Sequence, residues 1–462
     1  MLFSTPFFLF VFLPVFMLLY WLLPARRAVL LLGSLIFYGW SEPVFVWMVI
    51  GSAFLDWRLG VKIVRAGDDA KRSLWLGVAV NLGLLLYVKY TAFAVENLNG
   101  VLKFAGVAEF PVPRIALPLG ISFIVFEKIT YLVDIHRRKA APASSFLDYV
   151  NYVFLFPKLL AGPIIKYNDI ARQLASPSHR YEDIRDGVTR FLYGLGKKVL
   201  IADSLGPVAE SVFALPHGSL QPSTAWLGVA CFTLQIFFDF SGYSDMAIGL
   251  ARMLGYRLME NFRDPYLATS FTDFWRRWHI SLSTWIKEYL YIPLGGSRKS
   301  EARTYVNLVI CFLLSGLWHG AAWNFVIWGC FHGIMLVADR AFWLRVSARI
   351  PWLVNVGITL FLVAISWVFF RSPDLSSAVK FLQAMFGQAG AQQNAVFLTY
   401  DTRFFLIVGA LLALKPLMKF KLWEKLIGPR PALALAWGIV LLVLCTGRLA
   451  VSSFNPFLYF RF

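Results

Sequence analysis

Long apolar stretches alternate with short polar ones from one end of the chain to the other. Residues 1–25, 211–238, 304–338 and 350–370 contain no Asp, Glu, Lys or Arg. A helix needs about 20 mostly apolar residues to cross the hydrocarbon core of a bilayer. Each stretch is long enough, and 304–338 has room for more than one helical element. The same reading predicts spans near 7–24, 28–50, 73–90, 115–134, 148–165, 187–213, 224–250, 304–318, 323–340, 351–370, 397–414 and 432–451. Glycine and proline interrupt several of them, as at Pro118-Leu119-Gly120 and Leu160-Ala161-Gly162-Pro163. Irregular backbone at membrane depth survives only where protein or a water-filled cavity satisfies its polar groups. The expected architecture is therefore all-α and polytopic, a single embedded domain over 1–462 with an internal cavity.

One segment has a different rhythm. Between Thr272 and Leu290, Asp273, Arg276, Arg277, His279, Lys287 and Glu288 stand among aromatics. Trp275, Trp278, Leu282, Trp285 and Tyr289 recur at three- and four-residue spacing, which predicts an amphipathic helix. Such a helix lies in the membrane interface or caps the cytoplasmic mouth of a cavity.

Composition supports the membrane reading. The 462 residues are 58% hydrophobic and only 15% charged, against roughly 25% charged in soluble domains. The formal charge of +18 does not imply nucleic acid. Its basic residues form short clusters between apolar runs, at Arg26-Arg27, Lys71-Arg72, Arg137-Arg138-Lys139 and Arg298-Lys299. That is how loops held on the cytoplasmic side are marked. The rule puts the N-terminus outside, the basic run 415–430 in the cytoplasm and the C-terminal residues 455–462 on the outer face. The first 25 residues read as a retained span, because they lack the basic start and small-residue cleavage site of a signal peptide. Cys231, Cys311, Cys330 and Cys445 fit no zinc or disulfide framework and read as buried apolar residues.

Six histidines are candidates for chemistry. His136, His179 and His217 lie near span ends or in loops and read as structural. His319 and His332 lie inside an uncharged stretch, where an ionisable group is costly and usually faces a bundle interior or a wet cavity. A buried neutral imidazole suits general-base work. His319 sits among small residues, Ser315, Gly316, Gly320 and Ala321, which permit close approach of a helix or a substrate. For His319 a catalytic role and a helix–helix hydrogen bond stand equal on these grounds. His332 follows thirteen residues later, about 20 Å along an unbroken helix, and reads as a packing or hydrogen-bonding group unless the chain breaks between the two. His279 accompanies Arg276 and Arg277, which suit lipid headgroups or the phosphates of a nucleotide-like donor. Arg298, Lys299 and Arg303 follow Gly295-Gly296 and offer a second phosphate-binding cluster. Asp239 and Asp245 bind an ion in a transporter, or pair with a basic residue such as Arg252 to fix helix packing; the structural reading is preferred. The same choice applies to Glu127, Lys128 and Lys158. Serine-hydrolase and metalloprotease patterns do not appear, and no metal site is expected.

The run from Asp273 to Trp285 (Asp-Phe-Trp-Arg-Arg-Trp-His-Ile-Ser-Leu-Ser-Thr-Trp), the Tyr291–Gly296 segment and Gly316-Leu317-Trp318-His319-Gly320 closely resemble the membrane-bound O-acyltransferase family. Segments 156–163, 238–245, 261–266 and 455–460 match too. The likeness is densest over about 118–335 and favours the bacterial branch that includes alginate O-acetylation. It implies a ring of about 10–12 transmembrane helices, with re-entrant or amphipathic helices, around a central tunnel. It implies acetyl-CoA as the donor, entering from the cytoplasm of a cell with this chain in its inner membrane, and no permanently bound cofactor. It makes His319 the catalytic residue and His279 the second motif histidine. Arg276, Arg277, Trp278, Arg298 and Asn324 become candidates for holding the donor, with Asn324 or His279 also placed to polarise its carbonyl. The acceptor would be an exopolysaccharide or wall polymer, reached through a periplasmic SGNH-type partner.

The expected chemistry is acyl transfer with His319 as general base. Two other classes are distinguishable. A transporter would use Asp239, Asp245 and Glu127, and the absence of an internal repeat speaks mildly against it. A scaffold would tolerate histidine substitutions.

Overall fold

The computed structural model describes the whole chain except residues 66, 217–219, 389–395, 397, 415–429, 452–457 and 459–462, and the side chain of residue 68. His217, nearly all of the basic run and most of the C-terminal segment thus lie outside the described residues. Among the described residues the structure is helical, without strands. Among the described residues, five helices are long and apolar enough to cross a membrane: Ala70–Phe104, Pro222–Met253, Trp323–Ser347, Trp352–Arg371 and Pro431–Val451. The chain is an all-α, polytopic membrane protein. It divides into two compact units, residues 1–188 with 247–259, and residues 189–246 with 260–462.

Several predicted spans are subdivided. The 28–50 stretch forms two helices, Arg26–Gly39 and Phe45–Arg65. Pro43 lies in the break, where a residue without an N–H cannot continue the hydrogen-bond ladder. The 148–165 stretch holds a helix Phe146–Phe154, a single turn Phe156–Leu159 and irregular chain to Ile165.

In the first unit, buried charges hold that irregular chain. Lys158 is ion-paired with Glu127 of the Ile121–His136 helix, both about 1–2% exposed. Glu127 Oε1 also accepts the Ile165 N–H at 3.3 Å, and the Tyr152 hydroxyl donates to Ile165 O at 2.8 Å. Lys158 Nζ lies 4.5 Å above the Tyr152 ring. The next residue, Lys128, makes a second buried pair with Asp56 at 3.1 Å, and Asn81 donates to the other Asp56 oxygen at 2.9 Å. Gly120, which caps this helix at φ 73°, leaves no room for a side chain: a Cβ would lie 2.8 Å from Leu159 O. The sequence left these three charges undecided; here Glu127 and Lys158 are fastened to each other and to broken backbone, and Lys128 to Asp56.

The second unit contains the motif histidines. Its most intimate contact is a hairpin of Glu301–His319 and Trp323–Ala338, turned by Gly320, Ala321 and Ala322. Ser300 starts the first helix by accepting the Arg303 N–H at 3.3 Å. The helices touch at Gly316 and Gly329, where an added Cβ would fall 2.2 Å from Phe325 O and 2.3 Å from Phe312 O respectively. Small residues let helix backbones approach this closely in a membrane. Gly329→Ala is expected to separate the hairpin, costing about 1–3 kcal/mol as overpacking. The check is a detergent melt: a transition unchanged from the parent protein would refute the contact.

Candidate active site

The predicted amphipathic helix 272–290 is not continuous. Phe271–Arg277 and Ile280–Ile286 are separate helices, divided at Trp278 and His279. His279 has φ 44°, in the left-handed region that a side chain adopts at an energetic cost. The aromatic spacing runs through the break unchanged, so periodicity did not reveal it.

Asn261 holds the strained turn. Its Oδ1 accepts the Ser281 backbone N–H at 3.1 Å and the Ser281 hydroxyl at 2.9 Å. The Ile280 N–H reaches Asn261 O at 3.0 Å. Because that Oδ1 is an acceptor, the His279 Nδ1 facing it at 3.2 Å carries the proton, and Nε2 carries the lone pair. The ring lies edge-on to Phe240 at 4.6 Å. His279 is fully buried, and burial lowers its pKa to about 3. It is a neutral imidazole at physiological pH. Asn261 was read only as part of a matching segment. Its partnership spans 18 residues of sequence and left no local signal.

His319 ends its helix at the turn of the hairpin and is 5% exposed. Trp318, Trp328 and Phe370 surround its ring edge-to-face at 5.0, 5.1 and 5.4 Å. The imidazole therefore lies among protein side chains. The Trp318 indole touches both motif histidines, 6.3 Å from His279 between ring centroids. Near His319 stand buried polar atoms that meet no hydrogen-bond partner among the described residues: Ser315 Oγ, Trp328 Nε1 and, on the ring packed behind Trp328 and Phe370, Trp367 Nε1. Ser315 is one helical turn before His319, on the same face. Native interiors leave few such atoms unsatisfied. Their concentration beside one imidazole marks a polar enclave within an aromatic core.

The hairpin turn supplies the chain break that His332 needed to come near His319; both rings touch Trp328, at 4.6 Å from His332. His332 is occupied on both nitrogens. Trp275 Nε1 donates to Nδ1 at 3.2 Å, which leaves the ring proton on Nε2, 3.1 Å from Ser366 Oγ. Ser366 passes its own hydrogen to Val363 O at 2.7 Å. His332 thus fastens three elements together.

The candidate donor-binding residues differ in exposure and in partners. Arg276 and Arg298 are exposed. Arg277 is half-buried and paired with Asp273 at 2.8 Å. Trp278 is buried against Phe262 at 5.1 Å and Trp367 at 5.1 Å. Asn324 is buried, with its Nδ2 donating to Phe369 O and Ser372 O at 3.2 and 2.8 Å. Asp239 pairs with Lys198 at 2.7 Å, and Asp245 with Arg190 and Lys197 at 2.8 and 2.6 Å. Arg252 belongs to the first unit, where it meets Asp183 and Asp186 of that same unit at 3.0 and 3.1 Å. The anticipated role of the two aspartates in fixing helices survives, with different cations. His179 contacts the Tyr20 hydroxyl and Arg26 at 3.0 and 3.2 Å, and His136 ends its helix. A cavity of about 670 Å³ in the second unit, lined by Ser204, Ser211, Thr402, Asp401 and Arg448 among others, lies apart from the motif histidines.

Comparison with known proteins follows the same residues. Residues 83–372 match the membrane-bound O-acyltransferase (MBOAT) family. The probable alginate O-acetylase AlgI of Pseudomonas putida is 39% identical over the full length of both chains. Its namesake in Azotobacter vinelandii is 44% identical over 84% of this chain and 78% of its own. The peptidoglycan O-acetyltransferase of Helicobacter pylori is 38% identical over 84% of this chain and 80% of its own. Extent and identity place the motif histidines inside the matched region, and the chain belongs to the membrane-bound O-acyltransferase family as an O-acyltransferase of the membrane.

Proposed function

We propose that the chain takes an acetyl group from acetyl-CoA and passes it outward for O-acetylation of a polysaccharide of the cell envelope. The acceptor is an alginate-like exopolysaccharide or a wall polymer. The observation that carries this reading is the buried His319, set among otherwise unsatisfied donors inside a membrane protein. Membrane cores contain such polar enclaves where they are used, because each unsatisfied group costs free energy. The names of the relatives favour acetyl as the group and a polymer hydroxyl as its destination.

In this reading His319 removes the proton of the attacking hydroxyl. His279 is neutral and offers a lone pair at Nε2, with its Nδ1–H committed to Asn261. The exposed Arg276 and Arg298 meet the phosphates of CoA on the cytoplasmic side. The acetyl group leaves on the periplasmic side, where an SGNH-type partner carries it to the polymer. The chain resides in the inner membrane with its N-terminus in the periplasm.

The test compares envelope polysaccharides from cells with and without the chain by mass spectrometry, and follows CoA release by detergent-purified protein given acetyl-CoA. The expected result is loss of O-acetyl groups from one polymer, and acetyl-CoA-dependent CoA release. Unchanged acetylation of every polymer would overturn the proposal.

A further inference from the structure

We infer that the indole N–H groups of Trp328 and Trp367 receive the oxygen that becomes negative when the thioester carbonyl is attacked. The inference rests on the acetyl-CoA reading above and adds the groups that stabilise its transition state.

An indole nitrogen can only donate, and a buried tryptophan normally finds it an acceptor. Four other tryptophans of this chain follow the rule. Trp275 donates to His332, Trp226 to Met385 O at 3.1 Å, Trp57 to Ala143 O at 3.1 Å and Trp343 to Thr269 O at 3.4 Å. Trp328 and Trp367 are each 1% exposed, and neither Nε1 meets an acceptor among the described residues. Both are at the candidate site. Trp328 is perpendicular to the His319 ring at 5.1 Å. Trp367 stacks on Trp328 at 6.2 Å with 17° between planes. Both rest on Phe370, at 5.2 and 5.6 Å, and Phe370 itself touches His319.

Ser315 Oγ, one turn from His319, is also without a partner among the described residues, but a hydroxyl both donates and accepts; three other nearby donors are committed. Asn324 spends its amide on two carbonyls. His332 is closed on both nitrogens. The His279 Nδ1–H serves Asn261. Two fixed, uncharged donors in a dry aromatic setting are what a developing alkoxide needs, since they need no reorganisation as charge appears.

The acceptor oxygen forms a bond to the thioester carbon, and its proton moves to His319. The carbonyl π pair moves onto the carbonyl oxygen, where the indole N–H groups donate. That pair then returns, the C–S bond breaks, and the CoA sulfur leaves with the bonding pair and takes the proton from the imidazolium.

The experiment uses the full chain with His319→Ala, so that acetyl-CoA is held and not consumed. Carbonyl-13C-labelled acetyl-CoA is bound, its occupancy is measured by dialysis, and the carbonyl stretch is read by isotope-edited infrared spectroscopy. The expected band lies below its position in water and moves back up when Trp328→Phe and Trp367→Phe are added. In the chain that keeps His319, the same two changes lower kcat about 10²–10³-fold, with KM for acetyl-CoA little altered. If a phenylalanine variant cannot be purified, indole-15N labelling of the His319→Ala chain gives the same answer: two indole N–H signals shift when acetyl-CoA is added. Bound acetyl-CoA whose band or indole signals ignore these tryptophans overturns the inference alone. Failure to bind acetyl-CoA at all overturns the donor assignment and this inference together.

Discussion

His319→Ala is expected to lower acetyl transfer by about 10²–10⁴-fold, the range a positioned general base contributes. At 1.36 kcal/mol per decade, that is roughly 3–5 kcal/mol of transition-state stabilisation. The imidazole lies within a ring of aromatics, and its removal leaves the Gly316–Gly329 helix contact intact. The protein should therefore reach the membrane in normal amount. If the ring acts on the proton in flight, kcat falls while KM for acetyl-CoA changes little. The measurement pairs single-turnover acetyl transfer by purified protein with O-acetyl content of the cell's polymers. Full polymer acetylation by a His319→Ala strain with normal protein level would remove His319 from the chemistry.

Much of this site was legible in the sequence, and what was legible shares a physical cause. Charge-free stretches announced some of the spans, as at Trp352–Arg371, because a bilayer forbids unpaired charge over about 20 residues; the charge-free start of the chain holds only the shorter apolar helix Phe8–Leu22. His319 stood out for the same reason, as an ionisable group in an apolar run. The break at His279 was hidden because the apolar spacing of Trp275, Trp278, Leu282 and Trp285 suits an unbroken helix, while the backbone turns at φ 44°. Asn261, Ser366 and Trp367 gave no sign of their parts because their partners are remote: 18 residues from Asn261 to His279, and 34 from His332 to Ser366. Hydrophobicity alone describes Trp328 and Trp367 correctly as core. Only three-dimensional packing reveals that each places an unspent N–H inside that core. Trp278 was a candidate for holding the donor by family resemblance; its indole is buried and packs against Phe262 and Trp367.

Glu127→Ala is expected to destabilise the first unit by about 3–5 kcal/mol, the cost of leaving one charge of a buried pair without its partner. Lys158 would remain 1% exposed with no carboxylate to meet, and the Ile165 N–H would lose an acceptor. The chain between Phe154 and Ile165 depends on both contacts, since beyond the single turn Phe156–Leu159 it has no helical ladder of its own. A lower detergent melting temperature and a reduced yield should follow. The double variant Glu127→Gln, Lys158→Met separates the causes. It removes both charges and keeps an oxygen for the Ile165 N–H, so it should recover much of the loss, as neutral replacements of buried pairs often do. A full recovery of stability with activity still depressed would locate a functional role in the charges themselves. A Glu127→Ala protein that melts like its parent would mean that the pair does not hold the broken helix, and that the backbone around Pro157 and Pro163 is sustained by packing alone.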